Sequence, residues 1–271
     1  MNDHLATSKN AIELAKRHYP ELMAGFQAGN DDLFMQETSA PDVMDDILDF
    51  GVELGSERPV VVEVAPSASA RPGWCFDNVR RMVETQGGKP VLGWAIWSAP
   101  AMWHNAEFHV VYETPSGNLI DVTPKVDGET HIIFAATPEY GADFDFYRRP
   151  NNRRMRVYGH AERKPGVAAK IASLSDRRLA YEREEAFSKG LTLSQSIGME
   201  LRGRDLMEKL IDTFLEDVGR LEAMTKPTPE GIFLKDPRRR ARFDRLAADV
   251  LRQRNKLYLM ADMQVRGMVP K

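Results

Sequence analysis

The stretch that decides the fold is RPGWCFDNVRRMVETQGGKPVLGWAIWSAPAMWHNAEFHVVYETPSGNLIDVTP, residues 71–124. Its first part carries apolar residues at the 3.6-residue period of a helix, namely Cys75, Phe76, Val79, Met82 and Val83. Gly87 and Gly88 are the signal that ends this helix. The segments that follow are short, rich in β-branched and aromatic residues, and bounded by Pro or Gly, which is typical of strands. Further strands are expected in PVVVEV before this stretch and in HIIFA after it. We therefore predict an α+β protein whose core is a helix packed on an antiparallel sheet.

Cys75 lies at the expected start of that helix, just after Pro72 and Gly73. The positive end of the helix dipole and the free backbone N–H groups favour a thiolate at such a position. The same N–H groups can hold a developing oxyanion. A nucleophilic cysteine also needs a base, and a group that orients the base. Since Cys75 is the only cysteine, an internal disulfide and a multi-cysteine zinc site are excluded. A buried structural thiol is the ordinary alternative.

His109 and Asp121 are expected on one face of a β-hairpin. Side chains alternate along the strand AEFHVVYE (106–113), so His109 and Val111 share a face. The three-residue loop at 115–117 places Val111 opposite Asp121, which makes His109 the diagonal neighbour of Asp121. A two- or four-residue loop would put His109 and Asp121 on opposite faces. Local sequence leaves open whether the helix start meets this pair.

The order of Cys75, His109 and Asp121 on a helix start and two successive strands resembles the papain-like superfamily in its broad sense. That superfamily includes transglutaminase-like proteins and arylamine N-acetyltransferases. Residues 71–77 are similar to the Arg-Gly-Gly-aromatic-Cys-aromatic-acid motif of the acetyltransferases, although their N-terminal Pro-Phe-Glu-Asn signature has no counterpart. The block from about 59 to 155 most resembles a family of uncharacterised bacterial and phage proteins, without the zinc-binding tail that some of them carry.

By matching position, the resemblance implies that Cys75 is a nucleophile, His109 a general acid and base, and Asp121 the group that orients the imidazole. The implied function is acyl chemistry through a Cys75 thioester. Amide or ester hydrolysis and acyl transfer both fit, with a peptide or a small amide or ester as substrate. No GxxxxGK[ST] or GxGxxG motif is present, so no cofactor is expected.

Several residues beside this trio are candidates for substrate binding, namely Trp74, Asn78 and Trp97. Asn78 has a second interpretation, as a cap for a local backbone group. The glutamine that papain-like proteases place before the cysteine is missing. Ser67 or Ser69 is therefore a candidate second oxyanion donor beside the Cys75 backbone N–H.

Two other functions stay open. The chain could be a non-catalytic binding or scaffold protein on a papain-like fold. It could also be a metal-dependent hydrolase, if His104, expected in the loop before its strand, joined Cys75, His109 and Asp121 around zinc. Our leading interpretation assigns no metal.

We divide the chain into a helical segment at 1–58, a papain-like core at 59–165 and a helical portion at 166–271. Residues 226–237 are expected to be a connection between two C-terminal helices. The first of those helices carries an apolar stripe, which either packs within the chain or offers a surface to a protein partner. It comprises Leu206, Leu210, Phe214, Val218 and Leu221. The helical spacing of the first segment is seen around 11–18 and at Val43, Ile47, Phe50 and Leu54.

Composition excludes several classes of protein. The 271 residues are 42% hydrophobic and 28% charged with a net charge of −3, which argues against disorder and against a dedicated nucleic-acid binder. Basic residues crowd 148–164 and 238–256, where we expect solvated faces. No apolar run approaches the roughly 18 residues of a membrane span, and the N-terminus lacks the apolar region of a signal peptide. The sequence therefore predicts a soluble cytoplasmic protein without membrane contact.

Overall fold

The computed structural model describes residues 37–99, 101–141, 143–201, 203, 205–228 and 231–265. The chain divides into two compact units. The first comprises Met1–Arg153 and Pro227–Phe233, and the second Arg154–Lys226 and Leu234–Lys271. The helices expected around 11–18 lie outside the described residues. Over the described ranges the protein is mixed α/β, with seven α-helices.

The first unit contains two helices and five strands in the order that the sequence pattern predicted. They are α1 (Asp45–Glu53), β1 (Val60–Val64), α2 (Cys75–Gln86), β2 (Lys89–Ala99), β3 (Trp103–Glu113), β4 (Leu119–Asp121) and β5 (His131–Ala136), followed by a 3₁₀ turn at Phe146–Arg148. In α1 the expected stripe is buried at Ile47 and Phe50. Helix α2 ends at Gln86, and Gly87 follows with a φ of 75°.

The five strands close into a barrel-like arrangement. β2 pairs with both β3 and β5, β5 pairs with β1, β1 with β4, and β4 with β3. Four of these pairs are antiparallel, but β1 and β4 are parallel. Our expectation of an antiparallel sheet therefore holds for four of the five pairs and is wrong for β1 and β4. A closed ring with an odd number of strands cannot alternate direction throughout, so one parallel pair is unavoidable.

The barrel buries one face of each of these strands. The cluster at its centre contains Val62, Ala95, Val111, Ile132 and Phe134. The opposite face of β3 is buried as well, at Phe108, Val110 and Tyr112. Helix α2 packs against β2 and β3, and the Tyr112 hydroxyl donates to the Gly87 carbonyl, 2.9 Å away, where the helix stops.

The β3–β4 hairpin has the register that its loop predicted. Tyr112 pairs with Ile120 and Glu113 with Leu119. The Thr114 N–H donates to the Asn118 carbonyl at 2.9 Å, which closes a three-residue loop. Gly117 takes a φ of 87° in that loop, a conformation that glycine adopts without a steric penalty. His109 and Asp121 are therefore placed on one face of the sheet.

The second unit is mainly helical. Its elements are β6 (Arg153–Arg156), which begins at the last residue of the first unit, and the helices α3 (His160–Ala172), α4 (Asp176–Ser188), α5 (Leu193–Glu200), α6 (Leu206–Ala223) and α7 (Arg240–Val265). The first unit ends at Arg153, before α3 begins. Our predicted boundary, at residue 165, falls inside α3. The expected connection at 226–237 overlaps two short paired strands, β7 (Thr225–Thr228) and β8 (Gly231–Leu234), and a 3₁₀ turn at Pro237–Arg239. The connection thus contains a short hairpin, and Pro227–Phe233 within it belongs to the first unit.

Helix α6 buries a stripe that shares only Phe214 with the expected one. Leu206 is 60% exposed, whereas Met207, Ile211, Phe214 and Leu215 are buried. The helix starts at Leu206, where the Asp205 carboxylate caps it by accepting from the Glu208 N–H at 3.0 Å. Helix α6 contacts α7. None of the described helices combines the length and apolar character that a membrane crossing requires.

Part of the first basic cluster is buried, contrary to our expectation of a solvated face. Arg153, Arg154 and Arg156 are all less than 9% exposed. Within the second unit, Arg156 Nε is 2.8 Å from Asp212 Oδ1, and its Nη1 is 2.6 Å from Glu208 Oε1. Arg154 and Arg156 can be buried because acidic side chains on α6 neutralise them.

Candidate active site

Cys75 is the first residue of α2 and is 6% exposed. The residue before it, Trp74, occupies the N-cap position without capping the helix through its side chain. The first-turn N–H groups are therefore not taken up by a capping side chain at the end of the helix where the dipole is positive. This position suits a thiolate and an oxyanion formed next to it.

His109 and Asp121 form a buried hydrogen-bonded pair. His109 Nε2 is 2.9 Å from Asp121 Oδ2, and the two residues are 5% and 0% exposed. The other carboxylate oxygen of Asp121 accepts the Thr123 N–H at 2.9 Å, which fixes the orientation of the carboxylate. Because Asp121 holds Nε2, the Nδ1 atom of His109 is the ring nitrogen left for proton transfer to another group.

Lys125 is a third member of this group that the sequence analysis missed. Its Nζ lies 2.5 Å from Asp121 Oδ2, the same oxygen that accepts from His109. The Lys125 side chain is 9% exposed, and its Nζ is 5.6 Å from the centre of the Trp97 ring. Lys125 follows β4 in an irregular segment, where no periodic pattern in the sequence indicates which way a side chain points.

The charges in this group fix the ionisation of its members. Burial favours the neutral imidazole, but the Asp121 carboxylate and the Cys75 sulfur outweigh burial and the repulsion of Lys125, raising the pKa of His109 to about 9. Burial also opposes ionisation of Asp121, yet His109 and Lys125 keep its pKa below the ordinary value. At pH 7 His109 is thus an imidazolium and Asp121 a carboxylate. The Lys125 Nζ lies on the same carboxylate oxygen as His109.

Asn78 connects the start of α2 to the segments on either side of the site. Its side-chain oxygen accepts the Arg71 N–H at 3.0 Å, and its amide nitrogen donates to the Arg71 carbonyl at 2.8 Å. The same nitrogen is 3.3 Å from the Thr123 hydroxyl. These bonds correspond to the second of our two interpretations, a cap on local backbone groups.

The other candidates for substrate binding lie in different surroundings. Trp74 is half-buried beneath the Arg71 guanidinium, whose carbon is 3.8 Å from the ring centre. Trp97 is half-buried on the barrel-facing side of β2, beside Lys125. Ser67 and Ser69 face one another in the loop before α2, with their hydroxyl oxygens 3.5 Å apart.

His104 belongs to a separate group of side chains. It lies within β3 and not in the preceding loop, so that expectation is wrong, and its position in the strand alternates to the face opposite His109. Its Nδ1 is 2.9 Å from Ser98 Oγ, and its Nε2 is 3.2 Å from Asp46 Oδ2. Over the described part of the chain, no group of three or more His, Cys, Asp or Glu side chains is arranged to hold a metal ion.

Comparisons with known proteins identify no relative. No protein-family model matches this chain, and neither a curated protein nor a solved structure does. The chemistry of the site therefore rests on its own residues: a thiol at a helix start, a buried imidazole–carboxylate pair and a lysine on the same carboxylate.

Proposed function

We propose that this chain is a cysteine-dependent acyl enzyme of the papain-like type, with Cys75 as nucleophile, His109 as general acid and base, and Asp121 as the residue that orients the imidazole. The observation that carries the proposal is the buried 2.9 Å contact between His109 Nε2 and Asp121 Oδ2. Support comes from the position of Cys75 at the start of α2, which packs against the strand that bears His109.

In the first half of the reaction, the Cys75 thiolate attacks the carbonyl carbon of an amide or ester. A carbon–sulfur bond forms, and the carbonyl electrons move to an oxyanion that the Cys75 backbone N–H can stabilise. When the oxyanion collapses, the bond to the leaving amine or alcohol breaks. His109 donates its Nδ1 proton to that leaving group and becomes neutral.

In the second half, neutral His109 takes a proton from water as the water oxygen attacks the thioester carbon. The carbon–sulfur bond breaks, the acid product leaves, and the thiolate–imidazolium pair is restored. We propose hydrolysis rather than transfer to an amine, because the sequence contains no nucleotide-cofactor motif. A peptide or a small amide or ester is the substrate class that this chemistry accepts.

The test is the rate at which iodoacetamide alkylates Cys75 as a function of pH. Cys75 is the only cysteine, so all labelling reports on this site. An unperturbed thiol ionises near pH 8.5. We expect wild-type labelling to persist below about pH 7, and labelling of His109→Ala to require higher pH. His131→Ala is the matched control, since His131 bonds the Ala40 carbonyl instead.

Three outcomes separate the functions. A pH profile that depends on His109 but not on His131 supports the acyl enzyme and justifies a screen of amide and ester substrates. Identical profiles in all three proteins, or labelling only in denaturant, make Cys75 a structural residue and favour the binding or scaffold protein. Stoichiometric zinc in the purified chain would instead favour the metal-dependent hydrolase.

A further inference from the structure

One carboxylate oxygen in the site serves two cations. Asp121 Oδ2 is 2.9 Å from His109 Nε2 and 2.5 Å from Lys125 Nζ. Neither cation is a surface group, since the His109 and Lys125 side chains are 7% and 9% exposed. In such surroundings charges are weakly screened, so each cation changes how strongly the carboxylate holds the other.

From this shared oxygen we infer that Lys125 is a positioning residue of the site. It holds the Asp121 carboxylate in place, and its charge lowers the affinity of the His109 imidazole for its proton. The inference rests on the proposed acyl chemistry and extends it. That chemistry needs His109 in two states, protonated when the leaving group departs and neutral when water attacks. A cation on the same carboxylate favours the neutral state that the second step needs.

The groups that act on His109 come from several elements. The Asp121 charge on β4 and the Cys75 sulfur on α2 favour the imidazolium, and Lys125 opposes it. On β2, the residue opposite His109 is Gly93, which carries no charge. Glu107 shares a face of β3 with His109 but is exposed to solvent, where its charge is screened. Among these groups, Lys125 is the cation that opposes protonation of the ring.

The position of the Lys125 side chain also supports a defined role. Its Nζ lies 5.6 Å from the Trp97 ring centre, within the range of a cation–π contact. The ammonium is therefore fixed on two sides, by an aromatic ring and by a carboxylate. A flexible surface lysine would not be held in this way.

The test replaces Lys125 with Met, which keeps an unbranched apolar stem beside Trp97 and removes the charge, and with Arg, which keeps the charge. The full-length chain is labelled with ¹³C-histidine, and the titration of each imidazole is followed by NMR. His109→Gln assigns the His109 resonance. We expect the His109 midpoint to rise by roughly one pH unit or more in Lys125→Met, and to change little in Lys125→Arg.

A second readout follows alkylation of Cys75 by iodoacetamide. If Lys125 acts through His109, the pH at which the imidazolium is lost should rise in Lys125→Met in both the NMR titration and the labelling profile. Lys125→Gln is the alternative neutral variant if the Met variant does not fold. An unchanged His109 midpoint in a folded neutral variant would overturn the inference, whatever the labelling shows.

Failure of the two proposals can be told apart. If labelling of Cys75 ignores His109→Ala but the His109 midpoint moves in Lys125→Met, the acyl chemistry is wrong and the effect of Lys125 on the Asp121–His109 pair stands. If labelling depends on His109 and the midpoint does not move, the acyl chemistry stands and Lys125 is only a structural partner of Asp121.

Discussion

Gly93 of β2 lies directly opposite His109 of β3. On the other side of β2, Gly93 pairs with Ala136 of β5. A Cβ atom at Gly93 would lie 2.3 Å from the carbonyl oxygen of Ala135 and 2.8 Å from the Cα of Ala136. Both neighbours are backbone atoms of β5. They cannot move without shifting the strand that holds them.

The first prediction is that Gly93→Ala destabilises the protein by about 2 kcal/mol or more, because the added methyl group overpacks a closed barrel. Urea unfolding at pH 7 measures the change. Gly117→Ala is the matched control, since Gly117 has a φ of 87° with nothing within 4 Å of an added Cβ. The control should cost about 1 kcal/mol from backbone strain. Equal losses in the two variants would contradict the steric explanation.

The second prediction concerns the charge on Asp121. Asp121→Asn removes an attraction that raises the pKa of His109 and leaves the repulsion of Lys125 in place. The loss of this attraction lowers that pKa from about 9, so His109 becomes neutral at a lower pH. We expect the rate of Cys75 alkylation at pH 6.5 to fall at least about tenfold, because a thiolate there loses its cationic partner.

Glu107→Gln is the control for the Asp121 experiment. Glu107 lies on the same face of β3 as His109 but is exposed, so its charge should have little effect on the labelling rate. Circular dichroism of both variants checks that the fold is intact. A folded Asp121→Asn protein that labels at the wild-type rate would remove Asp121 from the proposed mechanism.

The third prediction tests the bonds that hold the start of α2. Asn78→Ala removes the hydrogen bonds to both backbone groups of Arg71 and the contact with Thr123. We expect a loss of about 2 kcal/mol of stability, since partly buried polar groups lose their partners. Thr123→Val removes only the 3.3 Å contact at nearly constant shape and should cost less than about 1 kcal/mol. Thermal unfolding compares the two variants.

The fourth prediction concerns the second unit. Arg156→Met leaves Asp212, which is 0% exposed, without its 2.8 Å contact to the guanidinium. Breaking a buried ion pair from one side typically costs about 3–5 kcal/mol, so this variant should be strongly destabilised in urea. Arg220→Met also breaks an ion pair, at 2.8 Å from Asp217, but that arginine side chain is 63% exposed. It should cost less than about 1 kcal/mol, and comparable losses would contradict the prediction.

Local patterns in the sequence were sufficient to predict α2, the five strands of the first unit and the contact between His109 and Asp121. Strand alternation and the loop at 115–117 placed His109 and Asp121 on one face, and the structure joins them at 2.9 Å. The start of α2 at Cys75 followed from Pro72, Gly73 and a helical period. These features depend on neighbours in the chain, which is why a single sequence can indicate them.

The features that the sequence did not predict depend on contacts between distant segments. The pairing of β1 with β4 and the closure of the barrel involve strands far apart in the chain. Burial of Arg156 depends on carboxylates of α6 that follow it by more than fifty residues. The contact of Lys125 with Asp121 is near in sequence, but it forms in an irregular segment without any periodic signal.

The parallel pairing of β1 and β4 also bears on how the protein folds. Val64 pairs with Asp121, and the Ala65 N–H donates to the Asp121 carbonyl at 2.9 Å. Cys75 and His109 both lie in the loop of chain that this pairing closes. Joining ends that are far apart in sequence is slow, because loop-closure entropy is lost before the contacts are gained. Cys75 and His109 should consequently acquire their native environment only after this slow step. The reactivity of the Cys75 thiol during refolding then reports when the fold is complete.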